Sequence, residues 1–151
     1  MAGALAAVTV GLLWAARSLD GPWGMLPGGA FRGDAAPCPD DWTRFAGVRE
    51  VEVEVRPARP RSVTTWAVVA EGALFVPADF LTPWKRWPHQ VAEDDRVRLR
   101  IGGEIFACRA ERVREAERIA ALRRAALRKY DVAPDGRAAR TDVWWFRMGP
   151  R

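Results

Sequence analysis

The segment Phe80-Leu-Thr-Pro-Trp-Lys-Arg-Trp-Pro-His-Gln-Val91 holds the chain's densest mixture of polar and aromatic side chains: Thr82, Trp84, Lys85, Arg86, Trp87 and His89. Lysine holds a phosphate as a point charge, arginine as a bidentate fork, and tryptophan can cover a planar ring, so the combination suits a nucleotide-like cofactor. The same residues also suit a short connecting helix, with Lys85 and Arg86 solvated and the tryptophans packed into a core. His89 is the single histidine. With no carboxylate or serine partner near it in sequence, it reads as a structural hydrogen-bonder more readily than as a general base. Asp94 and Asp95, placed just before an alternating run, read as a turn. Nucleophile-elbow, P-loop, H-E-x-x-H and dinucleotide-binding glycine patterns are absent, so no catalytic residue is assigned. Cys38 and Cys108 are too few for a zinc site, and no metal is expected. They are a candidate disulfide, which requires an oxidising compartment.

These residues need elements to position them. Val48-Arg-Glu-Val-Glu-Val-Glu-Val-Arg56 alternates strictly, with Val51, Val53 and Val55 on one face and Glu50, Glu52 and Glu54 on the other, the signature of a strand. Ser62 to Ala70 is rich in β-branched residues, and Glu71-Gly72 turns it into Ala73-Leu-Phe-Val-Pro77, a hairpin. A second hairpin joins Arg96–Ile101 to Glu104–Arg109 through Gly102-Gly103. That loop predicts Ile101 opposite Glu104, Leu99 opposite Phe106 and Val97 opposite Cys108, so Cys108 points inward and Arg96, Arg98 and Arg100 outward. From Glu111 to Tyr130 apolar residues recur at three- and four-residue steps, as in an amphipathic helix. Asp135-Gly136 marks a loop, and Val143–Met148 is a final strand. The expected fold is mainly β (α+β), a six-stranded antiparallel barrel with one substantial amphipathic helix, preceded by an apolar N-terminal helix.

The chain's 151 residues suit one domain, with 49% hydrophobic and 28% charged residues. The net charge of +5 equals the basic surplus between Arg109 and Lys129 alone. There the basic residues surround an apolar stripe and are interrupted by Glu111, Glu115 and Glu117, so the segment reads as a solvated face and nucleic acid is not expected as a partner. Ala2 to Ala16 carries no charge. Fifteen helical residues reach roughly 22 Å against a hydrocarbon core of ~30 Å, marginal for spanning. No Lys or Arg precedes the run and no small-x-small site is followed by an obvious mature start, which favours an uncleaved anchor over a cleaved signal. Residues 1–19 are therefore expected to be a membrane anchor or signal-like segment, 20–41 a Gly/Pro-rich linker lying back on the domain, and 42–151 the domain itself. Arg17 argues for a cytoplasmic domain and a disulfide for an extracytoplasmic one, and the balance tips to the latter.

The order of strand, Glu-Gly turn, strand ending in Phe75-Val-Pro77, Trp-Lys-Arg-Trp-Pro-His-Gln segment, acidic turn and Arg96-Val-Arg-Leu-Arg-Ile101 resembles the split β-barrel superfamily. That superfamily includes the pyridoxamine phosphate oxidase-like flavin proteins and the deazaflavin-dependent nitroreductases. The similarity spans roughly Val63 to Tyr130. It implies that FMN or a deazaflavin is bound by the strand at Thr64, Thr65 and Trp66 and by the connector, with Thr82, Lys85 and Arg86 near the phosphate and Trp87 and Gln90 lining the site. It also implies a homodimer. Here Pro77 to Pro83 is short and lacks glycine, and Ser62-Val-Thr-Thr65 replaces the basic phosphate-gripping pattern. Two functions thus stand side by side: a membrane-tethered flavin- or deazaflavin-binding protein, in its fullest form a reductase, and a non-catalytic envelope or binding module that retains the barrel without cofactor.

Overall fold

A computed structural model describes residues 19–79, 85–133 and 142–151. The proposed N-terminal helix, Thr82, Trp84 and the Asp135-Gly136 loop lie outside these residues. Among the described residues eight strands form, rather than six, with two α-helices. The strands are β1 (Ala36–Pro37), β2 (Glu50–Val55), β3 (Arg61–Trp66), β4 (Val68–Ala70), β5 (Ala73–Asp79), β6 (Arg96–Ile101), β7 (Glu104–Val113) and β8 (Val143–Gly149). Helix α1 (Trp87–Glu93) separates β5 from β6, and α2 (Ala116–Tyr130) separates β7 from β8.

The sheet runs β3-β2-β6-β7-β8-β5-β4, with β1 added to β7 in parallel at Ala36↔Phe106. Its other pairings are antiparallel. The β6–β7 hairpin has the expected register, Leu99↔Phe106 and Val97↔Cys108, closed by Gly102 and Gly103 at φ 59° and 83°, a conformation that glycine adopts without strain. Strands β3 and β4 lie at opposite ends of the sheet path, yet only Ala67 separates them in sequence. Two residue steps span about 7 Å at most, so the sheet curls until its ends meet.

This closure explains why Ser62 to Ala70 is two strands and not one. Ala67 is fully buried, and its polar groups leave the ladder for other partners. Its N–H donates to the Arg49 carbonyl (3.0 Å) and the Tyr130 hydroxyl (2.9 Å). Its carbonyl accepts from Lys129 Nζ (2.8 Å) and Tyr130 Oη (2.7 Å). The expected helix at Glu111 also starts later. Glu111 to Val113 stay extended because they pair with Arg147 to Trp145 of β8, and ladder hydrogen bonds prevail over the helical period.

One core fills the barrel, from Val51, Val53 and Val55 through Leu74, Val76, Leu99 and Phe106 to Phe146 and Met148. A second lies between α2 and the sheet's outer face, joining Leu122, Ala126 and Tyr130 to Val68, Phe75, Val113 and Trp145. Strands β5 and β8 thus bury both faces, and for that reason read as continuous apolar runs. Cys38 and Cys108 form a disulfide, with Cα atoms 5.0 Å apart, that ties the segment before the barrel to β7.

Part of the linker region is a structural layer. On the outer face, Glu52 and Glu54 of β2 stand opposite Arg100 and Arg98 of β6. Glu54 is only 5% exposed, and its carboxylate accepts from the Phe31 N–H (2.5 Å) and from Arg98 (3.2 Å). Phe31 is buried, with the Arg100 guanidinium 4.6 Å from its ring centroid. Gly28 and Ser62 exchange main-chain hydrogen bonds (2.9 and 3.0 Å).

Candidate functional site

The barrel is not closed by hydrogen bonds everywhere. No ladder joins β3 to β5, and Thr65 Oγ1 bridges the two strands by donating to the Pro77 carbonyl (3.0 Å). Ser62 turns its main-chain N–H and C=O away from β2, toward Gly28, and strand alternation makes Thr64 present the same groups on the same edge. Thr64 and Thr65 are both half-buried. The result is a seam with main-chain and hydroxyl groups at its lip, formed by the strand that the sequence singled out.

Trp66 ends β3 at this lip. It is 41% exposed, and its ring stacks on Tyr130 with centroids 4.2 Å apart and planes inclined by 11°. The Arg49 guanidinium lies 4.8 Å from the Tyr130 centroid. Lys129 Nζ donates to the carbonyls of Val48 (2.5 Å) and Ala67. Burial, with the Arg49 charge nearby, holds the Lys129 ammonium below its ordinary pKa. Burial also pushes the Tyr130 phenol above its ordinary value. Sequence reading did not connect Arg49 with Lys129 and Tyr130. They lie some eighty positions apart, and only the packing of α2 brings them together.

The connector residues separate into two groups. Lys85 is half-buried and Arg86 exposed, immediately before α1, whose first turn carries Pro88. Trp87, by contrast, is 4% exposed and packs in the barrel core at 5.4 Å from the Phe146 ring. The Gln90 amide oxygen is buried with no hydrogen-bond partner among the described residues. His89 meets Trp144 edge-on (5.0 Å), and the Arg112 guanidinium lies 3.6 Å from the same indole centroid. This His89–Trp144–Arg112 array was also unforeseen, since β8 is distant in sequence from α1. Thr82 lies outside the described residues.

Elsewhere, a cleft of about 360 Å³ opens between the N-terminal end of α2 and the strands beneath it, lined by Phe75, Glu111, Arg118 and Arg147 among others. Arg118 is ion-paired with Glu71 (2.7 Å). Among the described residues no cluster of three His, Cys, Asp or Glu side chains is arranged to hold a metal.

No protein-family model and no curated protein matches this sequence. Solved structures do match the fold. A conserved hypothetical protein of Mycobacterium tuberculosis aligns with 79% of this chain and 86% of its own, at 16% identity and a TM-score of 0.55. A FAD-binding protein of Mesorhizobium loti aligns over 72% and 84%, at 15% identity and a TM-score of 0.52. A candidate pyridoxamine 5′-phosphate oxidase of Listeria innocua aligns over 68% and 83%, at 12% identity and a TM-score of 0.50. The likeness is one of fold.

Proposed function

Because the chain has the split-barrel fold found among pyridoxamine 5′-phosphate oxidase-like flavin-binding proteins, we propose that it binds a flavin or deazaflavin at the β3–β5 seam. In its fuller form the proposal is a membrane-tethered reductase, working as a pair of chains. The observation that carries it is the seam itself, a strand edge offering Thr64 main-chain groups and the Thr65 hydroxyl beside an exposed indole.

The residues fit such a group. Gln90 Oε1, a buried acceptor without a donor among the described residues, matches a ligand N–H or O–H, since an unpaired buried polar atom costs about 1–3 kcal/mol. Lys85 and Arg86, with Thr82, would hold a phosphate, and Trp66 offers the ring face turned away from Tyr130. A bound flavin or deazaflavin would supply hydride or electron chemistry, and the protein's part is to bind and orient it.

A second reading, a non-catalytic envelope or binding module, is favoured by Trp87. The indole expected to line the site is spent in the core instead. Titration of the full chain with FMN, FAD and a deazaflavin, followed by absorbance and fluorescence, separates the two. Saturable binding to one of them, weakened at least tenfold by Lys85→Ala with an unchanged circular dichroism spectrum, supports the first. Binding to none supports the second.

A further inference from the structure

Residues 19–26 do not leave the barrel as a free coil. The Asp20 carboxylate accepts from the Arg32 N–H (2.7 Å) and from Arg100 Nη1 (3.0 Å), and the Asp20 carbonyl accepts from Arg100 Nη2 (3.0 Å). Arg100 is fixed in turn by Glu52, which accepts from its Nε at 2.7 Å. The chain is therefore clamped to β6 one residue after Leu19.

Just beyond the clamp, Trp23 and Leu26 exchange both main-chain hydrogen bonds, each 3.0 Å, closing a two-residue hairpin turn. Gly24, at φ 58°, supplies the positive φ that such a turn requires. This tip points its side chains into solvent. Leu19 is 46% exposed, Trp23 75% and Leu26 54%, and Met25 is fully exposed. Of the five exposed large hydrophobic residues in the described structure, these are four, and Trp66 is the other. The surrounding sequence is equally apolar. From Ala2 to Ala30 the charged residues are Arg17 and Asp20, and the second is used up in the clamp.

We infer that the Leu19–Leu26 hairpin is a lipid contact, seated at the boundary between headgroups and acyl chains of a bilayer that the apolar run Ala2–Ala16 enters. Tryptophan favours that boundary, where its ring is apolar and its N–H meets water, and Met25 and Leu26 extend the apolar tip. The run ends at Ala16, three residues before Leu19 in sequence, so its insertion would bring lipid to the patch. A second copy of the chain is a poorer occupant. Three side chains on one turn, with Leu19 on the other side of the clamp, fall far short of the 20–30 residues a side that a stable protein interface uses. The clamp gives the contact its consequence: the barrel is held against the bilayer by the β2–β6 side, with α2 on the sheet's opposite flank. This inference is independent of any cofactor.

The test uses the full chain in phosphatidylcholine vesicles. Met25→Cys carries an environment-sensitive fluorophore, and Arg124→Cys, on the exposed face of α2, serves as the control; Cys38 and Cys108 are paired and do not react. The expected result is a blue shift at position 25 on vesicle addition, with quenching by nitroxide lipids labelled near the headgroup, and no change at position 124. A chain that floats with vesicles while the position-25 label remains water-like overturns the contact and leaves the tether standing. A chain that does not float overturns both. A blue shift already complete without lipid assigns the hairpin to a second copy instead.

Discussion

The Tyr130 hydroxyl stands 2.7 Å from the Ala67 carbonyl and 2.9 Å from the Ala67 amide nitrogen. One side chain of α2 therefore meets both polar groups of the residue at which the barrel closes. Tyr130→Phe keeps the ring on Trp66 and removes this service. The expected loss is about 1–3 kcal/mol in urea unfolding, the cost of stranding buried main-chain groups. A loss below a few tenths would mean that water replaces the hydroxyl.

Tyr130 is also the only tyrosine, so its ionisation can be read directly. Burial raises the phenol's pKa in the folded state above its ordinary value of 10.0. A group with a raised folded pKa contributes stability that is fully present below its unfolded pKa and lost as the pH climbs through the folded one. Tyrosinate absorbance near 295 nm should thus rise above pH 10 in the folded protein and return to the ordinary midpoint in urea. The wild type should lose stability over that alkaline window relative to Tyr130→Phe. Equal midpoints with and without urea would contradict the buried phenol.

The disulfide yields a count and an energy. Denatured, unreduced protein should show no free thiol. Cys38→Ala with Cys108→Ala opens a loop of sequence separation 70 and should lower stability by about 4 kcal/mol on the chain-entropy account. Two reactive thiols in protein from an oxidising compartment would refute the pairing.

Glu54 should be less replaceable than the exposed Glu50 of the same strand. Glu54→Ala leaves the Phe31 amide and Arg98 without their shared acceptor, and breaking a buried pair costs about 3–5 kcal/mol. Limited proteolysis should then cut between residues 20 and 35. Glu50→Ala, on the same face but exposed, should change stability by less than about 0.5 kcal/mol and leave that segment protected.

Local patterns carried the parts of this fold whose partners are close in sequence. The alternation of Val51, Val53 and Val55 and the Gly102-Gly103 turn specify β2 and the β6–β7 register, because side-chain period and turn length are local properties. Ala67 gave no signal, since its conformation is dictated by Tyr130, sixty-three positions away. The pairing of Glu54 with Arg98 needed knowledge that β2 and β6 are neighbours. The family resemblance marked Thr64, Thr65 and Trp66, which lie at the C-terminal end of β3, where Thr65 bridges to Pro77 of β5. Composition and the family resemblance marked Trp87, and neither distinguishes an indole that lines a groove from one that fills a core.

Strand β8 lies between β7 and β5, and is the only member of the ladder that touches both. A nascent chain that has emerged from the ribosome as far as Tyr130 already contains the β3-β2-β6-β7 ladder and the β4–β5 hairpin, but as two pieces linked through Ala67. Their facing edges stay unpaired until residues 143–149 are delivered. Folding of the barrel therefore awaits the synthesis of β8, and in the interval the edges of β7 and β5 are open templates for a stray strand from a neighbouring polypeptide.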